Sequence, residues 1–68
     1  MAVPKILGRK IKSFRKRLGM TQEELAERVN LTSTYIGFIE QGRNAPSIKT
    51  ANKIAKELKV SLSDLFSK

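Results

Sequence analysis

The chain has 68 residues, with 14 Lys and Arg against 6 Asp and Glu, a net charge of +8, a pI near 10.3, and neither Cys nor His. This length supports one domain with a small core, and the composition excludes disulfides, thiolate or imidazole metal sites, and Cys or His nucleophile and base chemistry. The apolar runs are too short for a signal-peptide core or a transmembrane span, so a cytoplasmic protein is expected, off the membrane and without cofactor, metal or evident small-molecule ligand.

The excess positive charge attracts polyanions. It is unevenly spread: Lys5, Arg9, Lys10, Lys12, Arg15, Lys16 and Arg17 all precede the first acid, Glu23. A solvated helix face would carry the same pattern, so charge alone names no partner. Residues 1–5 are read as a flexible amino-terminal arm. Leu7, Ile11, Phe14 and Leu18 then recur at steps of four, three and four, one apolar stripe on a first helix. Gly19 stops it.

Thr21-Gln22-Glu23-Glu24 has the form of a capping box, which opens a second helix running to about Val29 with Leu25, Ala26 and Val29 inward. Asn30 tolerates the left-handed conformation and marks a tight turn. Thr32 caps a third helix that ends at Gly42. On a wheel of 3.6 residues per turn, Ile36, Ile39 and Glu40 share the core side of that helix, while Thr34, Gly37, Phe38 and Gln41 face away. A glycine and a large aromatic thus share the outward face, which costs stability that no core contact returns.

Ser47, after Pro46, caps a fourth helix with Ile48, Ala51, Ile54, Ala55 and Leu58 inward, and Ser61-Leu62-Ser63-Asp64 opens a short fifth. No segment alternates long enough to be a strand, and there are no repeats or linkers. The expectation is an all-α, compact, five-helix domain over residues 1–68. The turn between the second and third helices is so short that they must cross steeply. Ala26 is small at the approach, Leu31 plugs the corner, and Ile36 and Ile39 face back to Leu25 and Val29, which is a helix-turn-helix formed by helices 2 and 3.

The chain resembles the Cro and lambda-repressor-like helix-turn-helix family, often called XRE-type regulators. The resemblance covers nearly every residue and rests on LG..I...R...GMTQEELAE, YI..IE.G...PS and KIAKEL.VSLSDLF. It implies a lambda-repressor-like DNA-binding domain whose third helix enters the major groove while the start of the second meets the sugar-phosphate backbone. It also implies an ion pair between Arg15 and Glu40, since Arg15 occupies the first-helix position that pairs with this glutamate in the family. Asn30 and Lys59 stand where the family often has glycine. Gly37 and Phe38 replace its usual polar residues, so base contacts of other members do not transfer.

Helix starts offer free amides and a positive dipole end to an anion. Gln22, Thr32, Tyr35, Arg43, Asn44 and Lys49 are the candidate phosphate contacts. Gln22 as a mere helix former and Ser47 as a mere cap are the plainer readings. The candidate base contacts are Ser33, Thr34, Gly37, Phe38 and Gln41. With no Arg or Asn among them, methyl and ring contacts favour thymine-containing half-sites. In this reading Gly37 lets DNA approach the helix backbone and Phe38 packs on thymine methyls; the alternative places Phe38 beneath the amino-terminal arm. Val60, Leu62, Leu65 and Phe66 are the candidate dimer surface, unless they close the monomer core.

The expected function is a transcriptional regulator, a small repressor binding a palindromic double-stranded DNA operator as a homodimer, with residues 33–41 in the major groove. The alternative is a helix-turn-helix protein-interaction module of antirepressor or antitoxin type without a specific DNA site. A cationic membrane-active peptide would concentrate its apolar face in one helix, unlike this chain. Enzyme chemistry is not expected, because Glu23, Glu24 and Glu27 have structural explanations and no nucleophile or metal set accompanies them.

Overall fold

Local signals set the bounds of the helices. The computed structural model describes residues 3–67, arranged as α1 (Val3–Arg17), α2 (Gln22–Arg28), α3 (Ser33–Glu40), α4 (Ile48–Glu57) and α5 (Leu62–Phe66), with no strand among them. The hydroxyls of Thr21, Thr32, Ser47 and Ser61 each accept the amide three residues on, as Ncap residues do. At Thr21 the capping box is reciprocal: its amide donates to the Glu24 carboxylate at 2.8 Å while Glu24's amide donates to its hydroxyl at 3.0 Å. Ser61 and Asp64 form a second box. The Thr21 and Ser61 backbone amides hold the Glu24 and Asp64 carboxyls below their usual range, with the two hydroxyls adding to the effect.

Four helices end the same way. Gly19, Asn30, Gly42 and Lys59 take φ of 70°, 61°, 77° and 62°, and the residue after each donates its amide to a carbonyl five positions back. This is the Schellman closure, in which a left-handed residue turns the chain and satisfies the last carbonyls. The residue after the turn then tucks against the helix it has left. Met20, Leu31 and Val60 do so against the core, and Arg43 does so at the surface. Asn30 suits its turn. Lys59 is strained there, as its place at a usual glycine position suggests.

The core comprises Leu7 and Ile11 of α1, Leu25, Ala26 and Val29 around α2, Ile36 and Ile39 of α3, Ile54, Ala55 and Leu58 around α4, and Leu65 of α5. Three expectations are corrected. Leu18 is 42% exposed, because the chain turns at Gly19 and Met20 enters the core in its place. Ile48 is 64% exposed, since the first turn of α4 precedes the part of that helix that packs on α2 and α5. The arm is helical from Val3 onward, so residues 3–5 belong to α1; Met1 and Ala2 lie outside the described residues.

Gly8 brings α1 against the end of α3. A Cβ there would lie 2.6 Å from the Glu40 carbonyl oxygen and closer still to that of Ile39. Only glycine permits this approach.

Candidate nucleic-acid interface

α3 is held at its carboxyl end by one buried polar network. Arg15 Nε donates to Glu40 Oε2 at 2.6 Å and its NH2 to Oε1 at 3.1 Å, while NH1 donates to the Met20 carbonyl at 2.6 Å. Gln22 Nε2 adds a bond to Glu40 Oε1 at 3.0 Å. The Arg15 and Glu40 side chains are 8% and 3% exposed. No buried side-chain polar atom among the described residues lacks a partner. The pair expected from the resemblance therefore exists, and its partners tie α1, the start of α2 and the end of α3 into one unit. In a dry site a paired ion adds little net stability, yet losing one partner leaves a charge uncompensated. The network joins the end of α3 to α1 and to the start of α2.

Gln22 differs from its expected role in one respect. Its side chain is half-buried and committed to Glu40 rather than directed to solvent. As the first residue of α2 its amide has no intrahelical acceptor, and its side-chain nitrogen keeps a second proton. Gly37 is covered by this same side chain and is buried. A Cβ at Gly37 would meet only the Gln22 amide atoms, at 3.8 Å, an ordinary contact. The fold does not require glycine at 37.

Thr34, Phe38 and Gln41 are exposed along α3, as the wheel predicts, but Gly37, which the wheel places with them, is buried because the Gln22 side chain lies over it. Ser33 is half-buried and shares a shallow recess with Glu23, Glu27 and Asn30, which sets it apart from those three. Phe38 has 36% of its surface exposed, and the Arg43 guanidinium stands 5.7 Å from its ring centroid. The amides of Arg43 and Asn44 both point to the Phe38 carbonyl, at 2.9 and 3.4 Å. Thr32, Arg43, Asn44 and Lys49 are exposed, whereas Tyr35 is half-buried against the core. No acid lies between Gln41 and Lys49. The acids are placed elsewhere: Glu23, Glu24 and Glu27 on α2, Glu57 beside Arg28 at 3.7 Å, Asp64 in its cap, and Glu40 buried.

Two residues near this surface were not assigned a role from sequence. Gly8 allows the contact with α3, and a glycine within an apolar stripe was the available signal. Lys5 packs under the turn at Gly42, where a Cβ would come 2.8 Å from its Cγ, and no sequence spacing links the two. On α1, Lys10 and Arg17 flank the Phe14 ring at 5.9 and 5.3 Å, so part of the basic charge there covers an aromatic. Among the dimer candidates, Leu65 is fully buried in the monomer core and offers no surface. Val60 and Leu62 are half-buried and Phe66 is 38% exposed. No helix among the described residues is long and apolar enough to cross a membrane.

Residues 11–65 match the family described as helix-turn-helix. An uncharacterized HTH-type transcriptional regulator from Archaeoglobus fulgidus is 46% identical over 57 residues, covering 84% of this chain and 80% of that protein. The immunity repressor protein of Bacillus phage phi105 is 39% identical over 57 residues, or 84% of this chain and 40% of the repressor. Among solved structures, SinR, a master regulator for biofilm formation in complex with DNA, superposes with a TM-score of 0.84 at 34% identity, over 90% of this chain and 98% of that one.

Proposed function

The chain belongs to the helix-turn-helix family of transcriptional regulators, and on that premise we propose that it is a sequence-specific repressor that binds a palindromic double-stranded DNA operator as a homodimer. α3 lies in the major groove, with Thr34, Phe38 and Gln41 toward the bases, Ser33 at the helix entry, and Gly37 reached by DNA only where the Gln22 side chain over it moves aside. Gln22, Thr32, Tyr35, Asn44 and Lys49 serve the phosphates, and Arg43, a phosphate candidate by sequence, stands beside the Phe38 ring. The observation that carries this reading is the Arg15–Glu40–Gln22 network. It fixes a short helix at a set angle to α1 and α2 while the outward side chains of that helix stay exposed beside an acid-free loop. Repression is supported by the similarity to a phage immunity repressor, and DNA as partner by the similarity to a regulator solved on DNA.

Half-sites that contain thymine fit the apolar reading face. Val60, Leu62 and Phe66 remain the proposed dimer surface, pairing two reading helices across a two-fold axis. Selection of sites from random duplex DNA at moderate salt tests the reading. Enrichment of a symmetric, thymine-containing motif is expected. A folded protein that enriches nothing over a shuffled control would instead be a docking module. Sedimentation with and without the selected duplex tests the dimer.

A further inference from the structure

Resting on the operator reading above, we propose that Arg43 and Phe38 act as one base-reading unit, with the ring taking a thymine methyl and the guanidinium taking the acceptor edge of an adjacent guanine. Arg43 is thereby a specificity residue rather than a phosphate contact. It lies beyond the last residue of α3 and so outside the outward face of the recognition helix, whose residues include no arginine.

The backbone brings the two side chains together. Gly42 at φ 77° reverses the chain, its amide donates to the Ile39 carbonyl at 3.0 Å, and the Arg43 amide donates to the Phe38 carbonyl at 2.9 Å. This closure seats the residue after the turn beside the helix residue five positions back. At the equivalent place after α1, α2 and α4 stand Met20, Leu31 and Val60, each packed against the core. After α3 the place is taken by a cation, exposed, on an aromatic that is itself part-exposed.

Among the described residues no acid pairs with the Arg43 charge. The ion pairs among the described residues are Arg15 with Glu40 and Arg28 with Glu57, and neither reaches Arg43. A guanidinium held over a ring keeps its fork of N–H donors available to a partner and has fewer rotamers to lose on binding. A planar fork of donors matches guanine O6 and N7. The exposed part of the ring is an apolar surface for the methyl of the neighbouring thymine. The unit therefore reads a thymine next to a guanine on one strand.

The test compares wild type, Arg43→Lys and Phe38→Leu on the selected duplex and its single-base variants, with thermal melting to confirm folding and salt titration of Kd. Arg43→Lys keeps the charge and loses the fork. It should melt as wild type, keep the salt slope, and lose about 5- to 150-fold of discrimination at one guanine. Phe38→Leu should weaken discrimination at that guanine as well as at the adjacent thymine. If Arg43→Lys keeps the guanine preference, or if the selected site has no guanine beside a thymine, the unit does not exist. If folded wild type selects no sequence, the operator reading falls and takes the unit with it.

Discussion

Gly37→Ala separates what the fold needs at this position from what DNA needs. Inside a helix, alanine is more stable than glycine by about 1 kcal/mol. The added methyl meets only the Gln22 amide atoms at 3.8 Å, an ordinary van der Waals distance, so no clash offsets the gain. For a domain of this size, about 1 kcal/mol corresponds to a rise in Tm of about 4–8 °C. If Gln22 moves aside on binding and DNA lies against the helix backbone at Gly37, the same methyl intrudes into a packed interface at a cost of about 1–3 kcal/mol, or about 5- to 150-fold in Kd. Circular dichroism melts and fluorescence anisotropy titrations against the selected duplex measure the two effects separately. Tm should rise while affinity falls. A lower Tm would refute the packing argument, and a higher Tm with unchanged Kd would remove Gly37 from the interface.

Arg15→Ala leaves the Glu40 carboxylate buried with Gln22 as its remaining side-chain donor and should cost about 3–5 kcal/mol, most of the stability expected of so small a domain; urea titration showing a loss below about 1 kcal/mol would mean the pair behaves as a surface one. Gly8→Ala forces α1 off the Ile39 and Glu40 carbonyls and should destabilise by up to about 2 kcal/mol after the helix-propensity gain is subtracted; a more stable variant would contradict the close approach. Lys59→Gly relieves a left-handed lysine at φ 62° and should add about 1 kcal/mol, read as a higher urea midpoint, with a lower midpoint as the contrary result. Glu24 and Asp64 have depressed folded-state pKa values, so their contribution is present above the ordinary carboxylate range and is lost as pH falls through the folded values. Stability should fall below about pH 4, and less steeply in a Glu24→Gln, Asp64→Asn double variant; equal slopes would exclude the caps as the cause.

Most of the fold was legible because its rules are local. Thr21, Thr32, Ser47 and Ser61 cap helices by the chemistry of a hydroxyl three residues from an amide, and Asn30 turns the chain by its own tolerance of positive φ. Leu18 and Ile48 were misplaced for one shared reason: an apolar stripe tells which way a residue faces, and not whether a neighbouring helix extends far enough to cover it. Leu65 shows the same limit reversed, since periodicity does not distinguish a monomer core from a partner's surface. In the site, Arg15 with Glu40 was recoverable through the family resemblance. The turn of Gln22 inward was not, because a half-buried amide is placed by a contact 18 residues away. Phe38 with Arg43 was assigned to separate targets, and the closure at Gly42 that joins them becomes visible only when the hydrogen bonds of all four helix ends are compared.

The Arg15–Glu40 network also bears on how such a protein changes its target over generations. The groups that fix the angle of α3 lie on one side of it, and Thr34, Phe38 and Gln41 lie on the other with no share in the core. Substitutions on that outer side meet little resistance from folding, since exposed side chains outside buried networks tolerate most exchanges within about 0.5 kcal/mol, and Gln41 caps α3 through its backbone amide alone. A lineage can therefore replace its reading residues one at a time while the scaffold stays intact. Duplicated copies of such a gene would diverge first along these few positions, and new operators would arise without new architecture.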